Sequence, residues 1–350
     1  MTARLALALS LASLQQCGEP RYHGHVIGPQ AGIIIVHGAT MRKRRFLISL
    51  TTNDNDYQME QAAAAEQAGH RLGTGVEVIF AGNDAIVQSQ QLLQAVQARE
   101  NRPDGIVFEP AGGTALPQVA RAAAAAGIAW VVLNRDAEYI AELRQAHRVP
   151  IFAVTSDHEE IGGIQGRQIA ALLPKGGSVL CITGPSESLA AKQRTAGMLR
   201  AKPADVQVKM IRAQWTETSA ERAVSSWLRL STSQQTHLDL IAAQDDSMAM
   251  GARKAFEDLL DEASRERWLN LPFLGCDGLP KTGQVWVKQR LLAATVVIPP
   301  NTGQALEMLA KALDGSVLPP ERVLTVPSSL PSVEALSAAR GRTQASASGG

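Results

Sequence analysis

Short apolar runs punctuate the chain from Phe46 onward, and each is followed by a stretch whose apolar positions recur at helical spacing. FLISL (46–50), VEVIF (76–80), GIVF (from 105) and AWVVL (from 129) come first. Helical patterns lie between them, one ending near Leu72-Gly73, one running through Gln97 and an Ala-rich one from about Ala115 to Ala126. Continuous apolar runs, rather than alternating ones, are what strands covered by helices on both faces require. Strand–helix alternation in this order predicts a parallel sheet, so one doubly wound α/β lobe closes by about Pro150.

The rhythm restarts with IFAV at Ile151 and continues through SVLCI (from 178), VQVKMI (from 206), LDLIAA (from 238), PFLG (from 272), AATVV (from 293) and VLTV (from 323). That second series predicts a second lobe of the same class. In the helix expected over Ile161 to Leu172, Ile161, Ile164, Ile169 and Leu172 share one face. Gly162, Gly163 and Gly166 interrupt it, each lowering helix propensity by roughly 1 kcal/mol relative to Ala, and so predict close backbone packing there.

Length agrees with two lobes, since 350 residues exceed what one core usually serves. With 34 basic against 33 acidic residues, the chain shows no electrostatic signature of a nucleic-acid partner. Cys17, Cys181 and Cys276 lie far apart, so neither a disulfide framework nor a zinc site is expected. Before Phe46 the sequence is of another kind. Arg4 and the apolar run Leu5–Leu14 resemble a secretory leader too short to span a bilayer. Gln15-Gln16 before Cys17 speaks against lipidation, and the basic run from Met41 to Arg45 offers an alternative start that would keep the protein in the cytoplasm.

Catalytic and cofactor motifs fail on context. Gly73-Thr74-Gly75 precedes a strand and lacks the third glycine of a dinucleotide fingerprint. TGPSESLAAK (183–192) has no Lys-Ser/Thr pair for a phosphate loop, and no GxSxG or HExxH is present. Asp245, Asp246 and Asp277 stand at strand ends with no nucleophile in sequence beside them, a placement that suits hydroxyl binding as well as acid–base work. No catalytic residue, metal ligand or cofactor is therefore expected.

The candidate binding residues follow strand ends, where open α/β sheets hold ligands. Asn55 and Tyr57 follow the first strand, Asn134 and Arg135 the fourth, and Asp277 the PFLG run. Arg194 lies on the helix after SVLCI, Trp215 follows VQVKMI, and Asp245 follows LDLIAA. An aromatic ring matches the C–H face of a sugar, and planar Asn, Asp and Arg groups read neighbouring hydroxyls. Arg135 and Arg194 balance Asp245 and Asp277, which points to a neutral polyol.

NDNDYQ from Asn53, VVLNRD around Asn134, TSDHEEIGGIQGRQIA from Thr155, SLAAKQRTAGM around Arg194, AAQDDSMAMGA from Ala242, FLGCDG around Asp277 and LLAATVVIPP from Leu291 together carry a resemblance. The chain resembles the type I periplasmic sugar-binding proteins, ribose-binding protein among them, which are related to the sensor domains of lactose-repressor-type regulators. The resemblance spans roughly Phe46 to Val326 and implies two lobes joined by a three-segment hinge, with crossings near Ser156, near Ile298 to Pro300 and near Val326.

The expected division is 1–45 as an N-terminal extension or signal segment, 46–155 with 299–322 as the N-terminal lobe, 156–298 with 323–335 as the C-terminal lobe, and 336–350 as a disordered tail. The resemblance adds Gln58 to the site residues, at a position that is typically aromatic. Asn134 and Asp245 exchange Asn and Asp relative to ribose binders, and Ile298 replaces a polar residue. The altered pattern accommodates another pentose, a hexose or a cyclic polyol. By this likeness the protein is a monomer, periplasmic, that closes on a small neutral sugar or polyol for an ABC transporter membrane subunit or a sensor partner. A regulator's ligand-binding half without its DNA-binding headpiece is the alternative from another class, and a sugar-acting enzyme a further one.

Overall fold

The computed structural model describes residues 43–339 apart from 113–114, 235 and 316. The leader-like run, Cys17, the alternative start at Met41 and the tail from residue 340 lie outside the described residues.

The first half of the chain alternates without a break: β1 (Arg45–Leu50), α1 (Asp56–Leu72), β2 (Gly75–Phe80), α2 (Ala85–Gln97), β3 (Gly105–Phe108), α3 (Pro117–Ala125), β4 (Ala129–Leu133), α4 (Tyr139–Ala146) and β5 (Ile151–Ser156). A second series follows with α5 (His158–Leu172), β6 (Gly177–Thr183), α6 (Leu189–Ala201), β7 (Val206–Arg212), α7 (Glu217–Leu228), α8 (Ser231–Gln234), β8 (Leu240–Ala243), α9 (Asp246–Glu257), α10 (Glu262–Leu269), β9 (Phe273–Asp277), α11 (Gly283–Lys288) and β10 (Ala294–Val297). The chain ends with α12 (Thr302–Leu313), β11 (Arg322–Thr325), β12 (Ser328–Leu330) and a last helix over 333–339.

Two six-stranded sheets result, in the orders β11-β5-β4-β3-β1-β2 and β12-β10-β9-β8-β6-β7. All neighbours in the first are parallel, and in the second only β12 runs antiparallel. Strands inside each sheet, such as AWVVL of β4 and LIAA of β8, are buried throughout. The edge strands β2 and β7 alternate or lie half open, because helices cover them less completely. Each sheet has a switch point: β1 lies between β2 and β3, and β6 between β7 and β8, so successive connections leave in opposite directions. The carboxyl ends of β1 and β6 are therefore where a crevice opens.

The chain passes between the sheets at 156–157, at 298–301 and at 326–327. β11 pairs in register with β5, Arg322 opposite Ala153 and Thr325 opposite Ser156. Val323 to Thr325, expected in the C-terminal lobe, thus belong to the sheet of the N-terminal one. The tail also begins later than composition suggested, since 333–339 is helical and Leu336 packs into the core with Ile169, Leu173 and Met198. One well-placed leucine gives an otherwise Ser- and Ala-rich segment something to bury.

Helices α5 and α6 approach through glycine. A methyl at Gly162 would strike the Arg194 carbonyl, and one at Gly197 the Glu159 carbonyl. Gly166 is similarly tight against Met198 O and Ala201, whereas Gly163 faces only flexible side-chain ends. Of the helix-weakening glycines read from the sequence, Gly162 and Gly166 form a packing surface and Gly163 does not, and the backbone that carries Arg194 is seated by that surface.

Candidate functional site

A cavity of about 520 Å³ opens at the carboxyl ends of both sheets, and every binding residue expected from the sequence lines it. Four of its lining residues, Asn55, Ser188, Thr216 and Asp245, are N-caps of α1, α6, α7 and α9, so their side chains accept from the first turns of those helices. Strand end, cap and cavity wall coincide because each connection turns at once from strand to helix.

On the N-terminal lobe, Asn55 uses both ends of its amide. Its Oδ1 accepts from Gln58 N at 3.2 Å, and its Nδ2 donates across the cleft to Trp215 O at 3.0 Å. The Tyr57 ring packs against the small apolar cluster of Ile161, Ile164, Cys276, Val296 and Ile298. Burial, with Glu109 and Asp277 close by, raises the Tyr57 phenol above its ordinary range and keeps it a neutral donor. Ile298, which stands where a polar residue was expected from the resemblance, belongs to that cluster and is 1% exposed. Gln58 accepts from Thr51 N at 3.1 Å and donates to Glu109 Oε2 at 2.9 Å, so its amide orients a carboxylate.

Asn134 sits just past β4 with φ 53, a left-handed conformation uncommon for residues other than glycine. Its Oδ1 accepts from Asn301 Nδ2 at 2.7 Å, and Asn301 is fixed by Gln61 Nε2 at 2.6 Å. Arg135 follows it on the wall, where burial lowers its pKa and Glu109 raises it.

On the C-terminal lobe, Arg194 is the hub. Its Nη1 donates to Gln244 O at 2.5 Å and lies 3.8 Å from Asp277 Oδ1, and its guanidinium stands over the Trp215 ring at 5.5 Å. Its Nε is buried with no partner among the described residues. Trp215 has φ 58, and its ring covers Gly184, where any side chain would collide with it. Asp245 caps α9 by accepting from Met248 N at 3.1 Å, and burial pushes its carboxyl up to about 6. Asp277 adopts φ 100, and burial together with the charge of Asp245 raises it well above the carboxylate range against the pull of Arg194. Asn134, Trp215 and Asp277 thus share a strained backbone at the cavity, as binding sites often do.

Asp246, set beside Asp245 in sequence, turns away from the cavity. It accepts from Thr295 Oγ1 at 2.6 Å and Gly278 N at 2.7 Å, a structural role. Glu109 and His158 line the cavity and were missed. Glu109 directly follows GIVF, the position rule that found Asn134 and Asp277, and that signal was available. His158 opens α5 just past the first crossing, and burial with the Arg194 charge lowers its pKa to about 3, so it is neutral. Asp54 and Glu187 stand exposed at the mouth. The balance of Arg135 and Arg194 against Asp245 and Asp277 is therefore only part of the charge in this cavity. Among the described residues no cluster of metal-ligating side chains occurs.

Two doubly wound lobes whose switch points share one polar cavity define a bilobal binding protein. The chain belongs to the periplasmic binding protein family, whose domain it matches over residues 46–316, which makes it a substrate-binding protein rather than an enzyme. It is 30% identical over 226 residues to the D-ribose/D-allose-binding protein of Pseudomonas aeruginosa, covering 63% of this chain and 68% of that one. A ribose import binding protein of Bacillus subtilis is 25% identical over 263 residues, 74% of this chain and 78% of its own. Among solved structures, an ABC transporter periplasmic solute binding protein from Actinobacillus succinogenes with bound D-allose superposes with a TM-score of 0.70 at 21% identity, covering 82% of this chain and 97% of that one. The Caulobacter myo-inositol binding protein gives 0.66 at 22% identity, covering 81% and 92%. At these identities the structural likenesses establish the type I periplasmic binding protein fold.

Proposed function

We propose that the chain holds a small sugar or cyclic polyol between its lobes, closes on it without altering it, and delivers it to the membrane subunit of an ABC transporter. The observation that carries this reading is the convergence of Asn55, Tyr57, Asn134, Arg135, Arg194, Trp215, Asp245 and Asp277, drawn from both lobes, on one cavity. An aromatic ring at one wall and planar polar groups at the others form the donor and acceptor set that ring hydroxyls need. Relatives named for ribose, allose and xylose binding favour the same class. Three chain crossings between the sheets supply a hinge, and closure follows if ligand favours the closed state over the open one.

Transport is favoured over sensing by the relatives named for ribose import, and a periplasmic home fits that role. Among the described residues no helix is long and apolar enough to cross a membrane. The regulator alternative is not favoured, because the relatives are binding proteins. A monomer suffices, since both walls of the cavity come from one chain.

Small-angle scattering tests closure directly. The radius of gyration should fall when one of D-ribose, D-allose, D-xylose or myo-inositol saturates the protein. Superimposable curves with a ligand shown to be bound would overturn hinge closure.

A further inference from the structure

The inner wall of the cavity holds one more acidic side chain than basic ones. Glu109, Asp245 and Asp277 face Arg135 and Arg194, and no lysine lines the space among the described residues. His158 contributes no charge at neutral pH. Glu109 lies half-buried one residue beyond β3, and its hydrogen bonds come from neutral amides, Gln58 Nε2 at 2.9 Å and Asn134. Gln58 is itself fixed by Thr51 N, so the carboxylate is held in place against the cavity. Burial outweighs those amides and the attraction of Arg135 and Arg194, leaving Glu109 with a raised pKa. A carboxylate desolvated to that degree gains most from a cation delivered with the ligand. At the mouth, exposed Asp54 on one lobe and Glu187 on the other add negative potential that draws cations inward.

The geometry points to a ligand with one protonated amine on its ring, an amino sugar or an aminocyclitol, whose ammonium is received by Glu109. The inference rests on the sugar-or-polyol reading above and narrows it. One ammonium gives Glu109 a charged partner, and the remaining ring hydroxyls keep Arg194, Asp245 and Asp277 as partners. A neutral ring in the same place would offer Glu109 hydroxyl donors alone, with no positive charge to offset its burial.

Calorimetry at pH 7 on matched sets decides it: glucosamine against glucose and N-acetylglucosamine, and an inosamine against the corresponding inositol. In at least one set the amine should bind about tenfold more tightly or better than its hydroxyl parent, and N-acetylation should abolish the gain in the unaltered protein. Glu109→Gln, checked for folding by its unfolding curve, should compress the amine-to-hydroxyl ratio to within about threefold. Hydroxyl parents that bind as tightly as their amines would overturn the amine assignment and leave the sugar reading standing, as would an amine preference that survives Glu109→Gln. Silence from every member would overturn the amine assignment on these rings, and the sugar reading would then be decided by D-ribose, D-allose and D-xylose in the same assay.

Discussion

Arg194 shows what a single side chain does in this cavity. One guanidinium touches Gln244 O, faces Asp277 and lies over Trp215, with its Nε still unpartnered among the described residues. Removing it takes away ligand donors and also the charge that restrains Asp245 and Asp277 from protonation. Arg194→Ala should therefore weaken ligand binding roughly 10- to 100-fold in calorimetry, the range for a hydrogen bond to a charged group, and unchanged affinity would contradict its place in the site. His158 makes a separate statement about pH. Its pKa falls to about 3 on folding, below the ordinary value of about 6.5, so folding stability that is present above that value is lost as pH drops through it toward 3. Asp245, raised to about 6, works in the opposite sense: its burial disfavours the folded state above pH 6 and ceases to do so below the ordinary carboxylate range. Comparing His158→Gln with the parent isolates the histidine. The variant should gain about 2 kcal/mol on the parent in denaturant unfolding between pH 7 and pH 5, and a constant difference would mean the ring is not held neutral.

At the level of elements, the pairing of α5 with α6 links core packing to the site. Gly162 and Gly197 let the two helices meet backbone to backbone, and Arg194 projects from that contact. Gly197→Ala should cost about 3 kcal/mol or more in unfolding free energy, and it should lower ligand affinity as well because α6 must move, whereas Gly163→Ala, which meets only side-chain ends, should be tolerated. Equal tolerance of both would contradict the close approach. Gly162 and Gly166 were legible because they break a strong apolar stripe, Gly197 gave no such signal, and the strands were legible because runs of consecutive apolar positions leave little other reading. What escaped had weak local signal. β12 is three residues long and half exposed, α10 buries Trp268 alone, and the helix over 333–339 is anchored by Leu336. β11 was placed with the wrong lobe because lobe membership is decided by which strand it pairs with, and pairing leaves no mark on RVLT itself. The expected residues that directly follow strands line the cavity. Glu109 follows one too, yet a single glutamate before a proline reads as an ordinary solvated turn until the fold encloses it.

For the whole molecule, the proposed function depends on two lobes meeting across a cavity. Asn55 Nδ2 to Trp215 O is a direct hydrogen bond between them, made by a residue that also caps α1. Asn55→Asp keeps the capping oxygen and removes the cross-cleft donor, so the bound ligand should leave faster, by about fivefold or more in stopped-flow measurements, and an unchanged rate would exclude the bond from the closed state. On this reading the cavity retains a sugar or polyol unchanged. A thermal-unfolding screen against pentoses, hexoses, inositols, their amino derivatives, sugar acids and nucleosides tests it most directly. A ligand present at about 100 times its dissociation constant should add roughly 2.7 kcal/mol and raise the midpoint by several degrees, with the sugar or polyol recovered intact. No shift from any sugar or polyol, or recovery of a converted product, would contradict it.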